Sequence, residues 1–131
     1  MPIATARKDW GMSKFGVSSS VANLKRVAVR PPTRDADYQA AHWLGAPEQL
    51  DLDALQADHA AFVELLRELG CEVDVLPEAP GQPDACFVYD PAFTTPTGVI
   101  QLQAAKEARV KEPAMLAGDI NALGMPTVGV L

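Results

Sequence analysis

The sequence predicts one α/β domain, in which short strands alternate with two helices in the order β, α, β, β, β, α, β. Two observations carry this prediction. Apolar residues recur at helical spacing in two separate blocks, and short runs rich in valine and other apolar residues lie before, between and after them. The chain of 131 residues is 48% hydrophobic, which is enough for one folded domain with its own core.

The first helix is the clearest element. Asp51 is suited to cap its start, and Gly70 is suited to end it. Its apolar face repeats at steps of three and four residues and comprises Leu52, Leu55, His59, Phe62, Leu66 and Leu69. Because His59 lies on this face, we expect it to be a buried structural histidine.

The predicted strands cover residues 24–29, 71–76, 86–89, 98–103 and 127–131. Pro31 and Pro32 end the first strand, because proline has no amide hydrogen for a ladder. A second helix begins at Pro113, turns Leu116, Ile120 and Leu123 inward, and ends at Gly124. Each helix is followed by Leu-Gly and a strand, which is a weak sign of an internal repeat.

The remaining segments are predicted to be irregular. Residues 1–23 are expected to form a flexible arm, and residues 33–50 a long loop containing His42 and Trp43. The domain itself is then expected to occupy residues 24–131.

Composition excludes several classes of partner. The net charge of −6 argues against nucleic acid and anionic membranes as partners. No apolar run approaches the roughly 20 residues of a membrane span, and the first residues lack the apolar core of a secretory signal. Cys71 and Cys86 have neither metal-ligand nor redox spacing, so we expect free thiols, no cofactor and a cytoplasmic protein.

The segment from Pro83 to Phe93 is the most informative for function. Asp84 and Asp90 bracket an apolar run, a placement that strands disfavour. In a straight strand they would share one sheet face roughly 20 Å apart, so one small ligand could contact both only if the chain bends. Two interpretations stay open at this point: a carboxylate pair that binds a guanidinium ligand, or two turn-capping residues beside prolines. Lys106, Arg109 and Lys111 are expected to form a solvated face.

Residues 83–91, Pro-Asp-Ala-Cys-Phe-Val-Tyr-Asp-Pro, resemble the signature of dimethylarginine dimethylaminohydrolases and related amidinotransferases. The resemblance extends over most of residues 16–131 in the same order. It implies a partial pentein fold, about two ββαβ units with mixed sheets, and the first half of an enzyme about twice as long. It also implies a guanidino substrate.

The resemblance assigns roles to four residues. Asp90 matches the aspartate that holds the guanidinium, and Asp84 the one near the amino end of the substrate. Tyr89 stands where the hydrolases often carry an acidic residue, and Gln103 where an arginine would bind the α-carboxylate. An amide cannot replace that charge-assisted pairing, so the resemblance favours a substrate without this carboxylate, or an arginine from elsewhere.

The chemistry implied by the family is absent from this chain. A cysteine attacks the guanidinium carbon to form a covalent thiouronium, and a histidine transfers protons. Neither the cysteines nor the histidines of this sequence match those positions, so the chain alone is expected to be inactive. A covalent continuation, a complementing subunit or self-association would complete it, and hydrolysis and amidino transfer both stay open. The alternative is an inactive binding or structural module derived from the family.

Overall fold

The computed structural model describes residues 15–39 and 50–131. His42, Trp43 and residues 1–14 of the predicted arm lie outside them. In this part of the chain the strands are β1 (Arg26–Val29), β2 (Glu72–Val75), β3 (Ala92–Thr95), β4 (Gly98–Gln101) and β5 (Thr127–Val130). The helices are α1 (Leu52–Glu68) and α2 (Glu112–Ala122), and a short 3-10 turn, Glu107–Arg109, precedes α2. The predicted α/β class is therefore confirmed.

The strands form two small sheets. In the first, β1 and β2 are parallel, with Val27 opposite Val73. In the second, β3 and β4 form an antiparallel hairpin, and β4 pairs in parallel with β5. Each parallel pair is joined through one helix, so a β-α-β unit occurs twice, as the Leu-Gly pattern suggested. The second unit, β3-β4-α2-β5, is a complete ββαβ arrangement in a mixed sheet.

Helix α1 begins and ends where the sequence predicts. The Asp51 carboxylate accepts a hydrogen bond from the Ala54 amide at 3.0 Å, which caps the first turn. Gly70 adopts a φ of 91° directly after the helix, a conformation that favours glycine. The predicted apolar face, however, is only partly covered, since Phe62 and Leu69 stay exposed. His59 is half-buried, not fully buried, and burial lowers its pKa.

The predicted strand at residues 86–89 is wrong. Residues 82–87 form consecutive turns, in which the Phe87 amide donates to the Asp84 carbonyl at 3.0 Å. The extended segment begins only after Pro91, as β3. Pro83 and Pro91 explain part of this shift, because neither can donate to a ladder at the ends of the run. The chain thus bends between Asp84 and Asp90, and the two do not share one face of a straight strand.

The core lies between α2 and the second sheet. Leu116 and Ile120 of α2 are buried, as predicted, and Val99 of β4 is completely buried. The cluster comprises Leu76, Val99, Leu116, Ala117, Ile120 and Met125. This packing places the start of α2 beside the turns of residues 82–90.

Gly98 provides a test of this packing. A Cβ atom at Gly98 would overlap the backbone carbonyl oxygen of Pro126, which cannot move away without losing the hydrogen bond that it accepts from the Val99 amide at 2.8 Å. We expect Gly98→Ala to lower the free energy of unfolding by more than about 2 kcal/mol in urea denaturation. Gly70→Ala is the control, because its Cβ meets only open space and the cost is the left-handed conformation, about 1–2 kcal/mol. Equal losses for the two variants would contradict the close approach at Gly98.

Candidate ligand-binding site

An apolar cleft lies between β1, α1 and residues 86–90. Its volume is about 410 Å³. It is lined by Leu24, Val27, Ala28, Val29, His59, Phe62, Leu66, Cys86, Phe87, Val88, Tyr89 and Asp90. Asp90 is the one acidic residue in this lining. Among the described residues, β1 pairs only with β2, so the other edge of β1 has no strand partner there.

Asp90 lies at the cleft and contacts one charged group among residues 15–39 and 50–131. Its side chain is 59% exposed, and its Oδ2 accepts a hydrogen bond from Nη1 of Arg109 at 2.7 Å. Arg109 also donates from Nη2 to the Phe87 carbonyl at 3.1 Å and from Nε to Glu112. The arginine therefore ties the turn at residues 87–90 to the first turn of α2.

The prediction that Arg109 lies on a solvated face is wrong, because its side chain is only 14% exposed. Burial lowers the pKa of Arg109. Its hydrogen bonds to Glu112 and Asp90 raise the pKa by more than burial lowers it, so the net shift is upward. Glu112 is 2% exposed, and burial raises its pKa although Arg109 acts in the opposite direction. Within the described part of the chain, Oε1 of Glu112 has no hydrogen-bond partner.

Asp84 is held in a similar way but in a different environment. It is buried, and its Oδ2 accepts a hydrogen bond from Nζ of Lys106 at 2.6 Å. Lys106 and Arg109 thus contact the two aspartates from the segment that leads into α2. The sequence carried one sign of this arrangement, the spacing of three between Arg109 and Glu112, which suits a pair on one helical turn.

The other two predicted site residues lie on the surface. Tyr89 is 91% exposed and contributes to the rim of the cleft beside Asp90. Gln103 is exposed and does not line the cleft.

A second buried cation, missed by the sequence analysis, lies at the end of β1. Arg30 is 2% exposed and donates to the Pro77 carbonyl at 2.6 Å and to the Asp119 carboxylate at 2.7 Å. The Arg-Pro-Pro sequence reads as a strand end, and nothing in its local pattern indicates burial. These contacts join the first sheet to α2 and so hold the two sides of the site together.

The cysteine that lines the cleft, Cys86, is a poor nucleophile at neutral pH. Cys71 and Cys86 are both free thiols. Burial raises the pKa of Cys86 to about 11, so about one thiol in ten thousand is ionised at pH 7. His59 packs edge-on against Phe62, with ring centroids 6.4 Å apart. No group of residues that could hold a metal ion occurs among residues 15–39 and 50–131, and no helix there is long and apolar enough to cross a membrane.

The chain is of mixed α/β architecture, with one parallel sheet and one mixed sheet. No protein-family model matches the sequence, and no curated protein does. Solved structures of dimethylarginine dimethylaminohydrolases do match. One, from Pseudomonas aeruginosa, is a cysteine-to-serine variant in complex with citrulline; it has a TM-score of 0.66 and 20% identity over 81% of this chain.

Two further structures of the same enzyme class agree. An adduct with 4-chloro-2-hydroxymethylpyridine has a TM-score of 0.64 and 22% identity over 83% of this chain. A histidine-to-glycine variant bound to S-methyl-L-thiocitrulline has a TM-score of 0.64 and 21% identity over 80%. This chain therefore has the fold of part of a dimethylarginine dimethylaminohydrolase. It spans 41–42% of the length of these structures.

Proposed function

We propose that this chain supplies the substrate-binding half of an enzyme that acts on guanidino compounds, with residues 24–131 as its pentein portion. One observation carries the proposal: among the residues that the structure describes, Asp90 is the one acidic residue lining a cleft that is otherwise largely apolar. A guanidinium pairs with a carboxylate through two parallel hydrogen bonds, and the apolar walls suit an alkyl chain attached to it. An alkylguanidine matches both features.

In this proposal Asp90 holds the guanidinium, and Tyr89 forms the neighbouring rim of the site. Asp84 acts near the amino end of the substrate, although its present partner is Lys106. Gln103 occupies the position of a carboxylate-binding arginine, which makes ligands without an α-carboxylate the first to test. The two free thiols support a reducing compartment such as the cytoplasm.

The catalytic cysteine and histidine are proposed to come from outside the described residues. A cysteine thiolate would attack the guanidinium carbon, and a histidine would protonate the leaving amine and then activate water. Cys86 is unsuited to the first role because its thiol stays protonated at neutral pH. A continuation of the chain, a complementing subunit or a second copy would supply these groups. The edge of β1 that no described strand covers offers a place for a partner strand.

A second candidate function is a module that binds a cationic ligand or a partner but catalyses no reaction. The raised pKa of Cys86 favours it as much as the first, because a protonated thiol is a poor nucleophile. Ligand binding alone does not separate the two functions. Release of urea, ammonia or amine after the chain is combined with its completing part does, since a binding module releases none.

Asp90→Asn tests the proposal directly. The substitution removes the charge of the side chain but keeps its shape. Agmatine binding, measured by isothermal titration calorimetry, should weaken at least about tenfold, which is the loss expected for one charge-assisted hydrogen bond. Asp58→Asn is the matched control, because Asp58 is an exposed residue of α1 outside the cleft lining and its loss changes the net charge equally. Unchanged binding by Asp90→Asn, or equal weakening by both variants, would refute the role of Asp90.

A further inference from the structure

The carboxylate proposed to bind a guanidinium already contacts one. Nη1 of Arg109 lies 2.7 Å from Oδ2 of Asp90. The pairing uses one oxygen only: no described residue donates to Oδ1. Asp90 therefore holds a guanidinium by one hydrogen bond, where an ideal pair has two.

Arg109 is anchored independently of Asp90. Its Nε donates to the buried Glu112, and its Nη2 donates to the Phe87 carbonyl at 3.1 Å. Neither partner depends on the Asp90 contact, because Glu112 is the buried first residue of α2 and Phe87 is in the turn beside it. Asp90, in contrast, has a side chain that is 59% exposed and already lines the cleft, so a ligand in the cleft can reach its carboxylate.

We propose that Arg109 is an internal guanidinium that occupies Asp90 while the site is empty, and that a guanidino ligand binds by replacing it. This inference rests on the proposed function of Asp90. Only the Nη1 contact breaks in the exchange. The ligand forms two hydrogen bonds with the carboxylate, and Arg109 keeps its bonds to Glu112 and Phe87.

The exchange has a consequence for affinity. A ligand must first displace Arg109, so its apparent affinity is reduced by the fraction of molecules in which Asp90 is occupied. A guanidinium recovers this cost by pairing in bidentate fashion, whereas an ammonium is a point charge and cannot form the planar fork. Because both kinds of ligand pay the same cost, Arg109 lowers the affinity for each by the same factor, and the preference for guanidines comes from the bidentate pairing with Asp90.

The test compares agmatine and 1,4-diaminobutane binding to the 131-residue chain by calorimetry. Arg109→Gln alone would leave Glu112 buried without its cation, so the variant used is Arg109→Gln with Glu112→Gln, checked for folding by thermal denaturation. We expect agmatine to bind roughly two- to fivefold more tightly to the double variant, the range typical of an exposed ion pair. The affinity for the diamine should rise by the same factor, so the preference for agmatine over the diamine should stay unchanged. Lys111→Gln, an exposed change in the same segment, should alter neither quantity.

The outcomes separate the two proposals. If Asp90→Asn binds agmatine as well as the wild type does, the proposed function fails, and this inference fails with it. If Asp90→Asn loses binding but the folded double variant binds agmatine no more tightly than the wild type, only the inference is overturned.

A measurement on the unmodified chain covers the case in which the double variant does not fold. In ¹H–¹⁵N spectra, saturating agmatine should shift the Arg109 Nη signals and leave its Nε signal near its free position. Nη signals that do not move in the agmatine-saturated protein would overturn the exchange.

Discussion

Replacing Arg109 with methionine is expected to lower the free energy of unfolding by about 3–5 kcal/mol at pH 7, because a buried carboxylate is left without its cation. Glu112 is 2% exposed, and Arg109 is its charged hydrogen-bond partner. Methionine can fill much of the space of the arginine stem, so the loss reports the charge. Chemical denaturation followed by circular dichroism gives the value directly.

The pH dependence of this loss identifies its source. Burial raises the pKa of Glu112 above the ordinary value of 4.5, and Arg109 limits that rise. A folded-state pKa above the unfolded value means that the folded state binds the proton more tightly, so stability falls as pH rises from about 4.5 through the folded pKa. Without Arg109 the pKa rises further. The destabilisation of Arg109→Met should therefore be smaller at pH 4 than at pH 7.

A second substitution provides the control. Arg109→Met combined with Glu112→Leu removes both charges, and such apolar replacements of buried ion pairs are commonly neutral or stabilising. We expect the double variant to regain most of the stability lost by Arg109→Met. A double variant that stays as unstable as the single one would show that the loss comes from packing and from the Phe87 and Asp90 contacts instead.

Leu116→Ala is expected to lower the free energy of unfolding by about 2–5 kcal/mol. Leu116 is buried in the cluster between α2 and the second sheet, beside the completely buried Val99. Truncation removes apolar burial and leaves a cavity that a helix packed on a sheet fills only in part. Urea denaturation at constant pH measures the change.

Leu69→Ala is the matched control for this cavity. Leu69 is 71% exposed, so the same chemical change should alter stability by no more than about 0.5 kcal/mol. Similar losses at both positions would place Leu69 in a packed environment, in conflict with the open face of α1. The comparison thus tests how α2, which carries Glu112, is anchored.

Where an element depends on neighbours in the chain, the sequence predicts it well. Asp51 and Gly70 bound α1 because a side-chain cap and a left-handed glycine act within one helical turn. Residues 86–89 show the opposite case. Their apolar pattern is that of a strand, but the prolines on both sides and the ion pairs of Asp84 and Asp90 hold a chain of turns.

The candidate site was likewise predictable from the sequence only in part. The aspartate spacing and the resemblance pointed to Asp90, which lines the cleft, and its role in binding stays a prediction. The sequence predicts Arg109 to be a solvated cation, because its spacing of three from Glu112 indicates a possible ion pair but not that the pair is buried. Its environment is created by Glu112 on one side and by the turn at residues 87–90 on the other.

The sequence by itself determined the α/β class, both helices, four of the five strands among the described residues, and the acidic segment that faces the cleft. These depend on periodicity, capping and turn chemistry, which act over a few residues. Tertiary structure decided which charges are buried and paired, and that α1 leaves part of its apolar face open. Those outcomes depend on contacts between residues about 20 to 90 positions apart, such as Arg109 with Asp90 and Arg30 with Asp119, and no local pattern specifies which distant groups will meet.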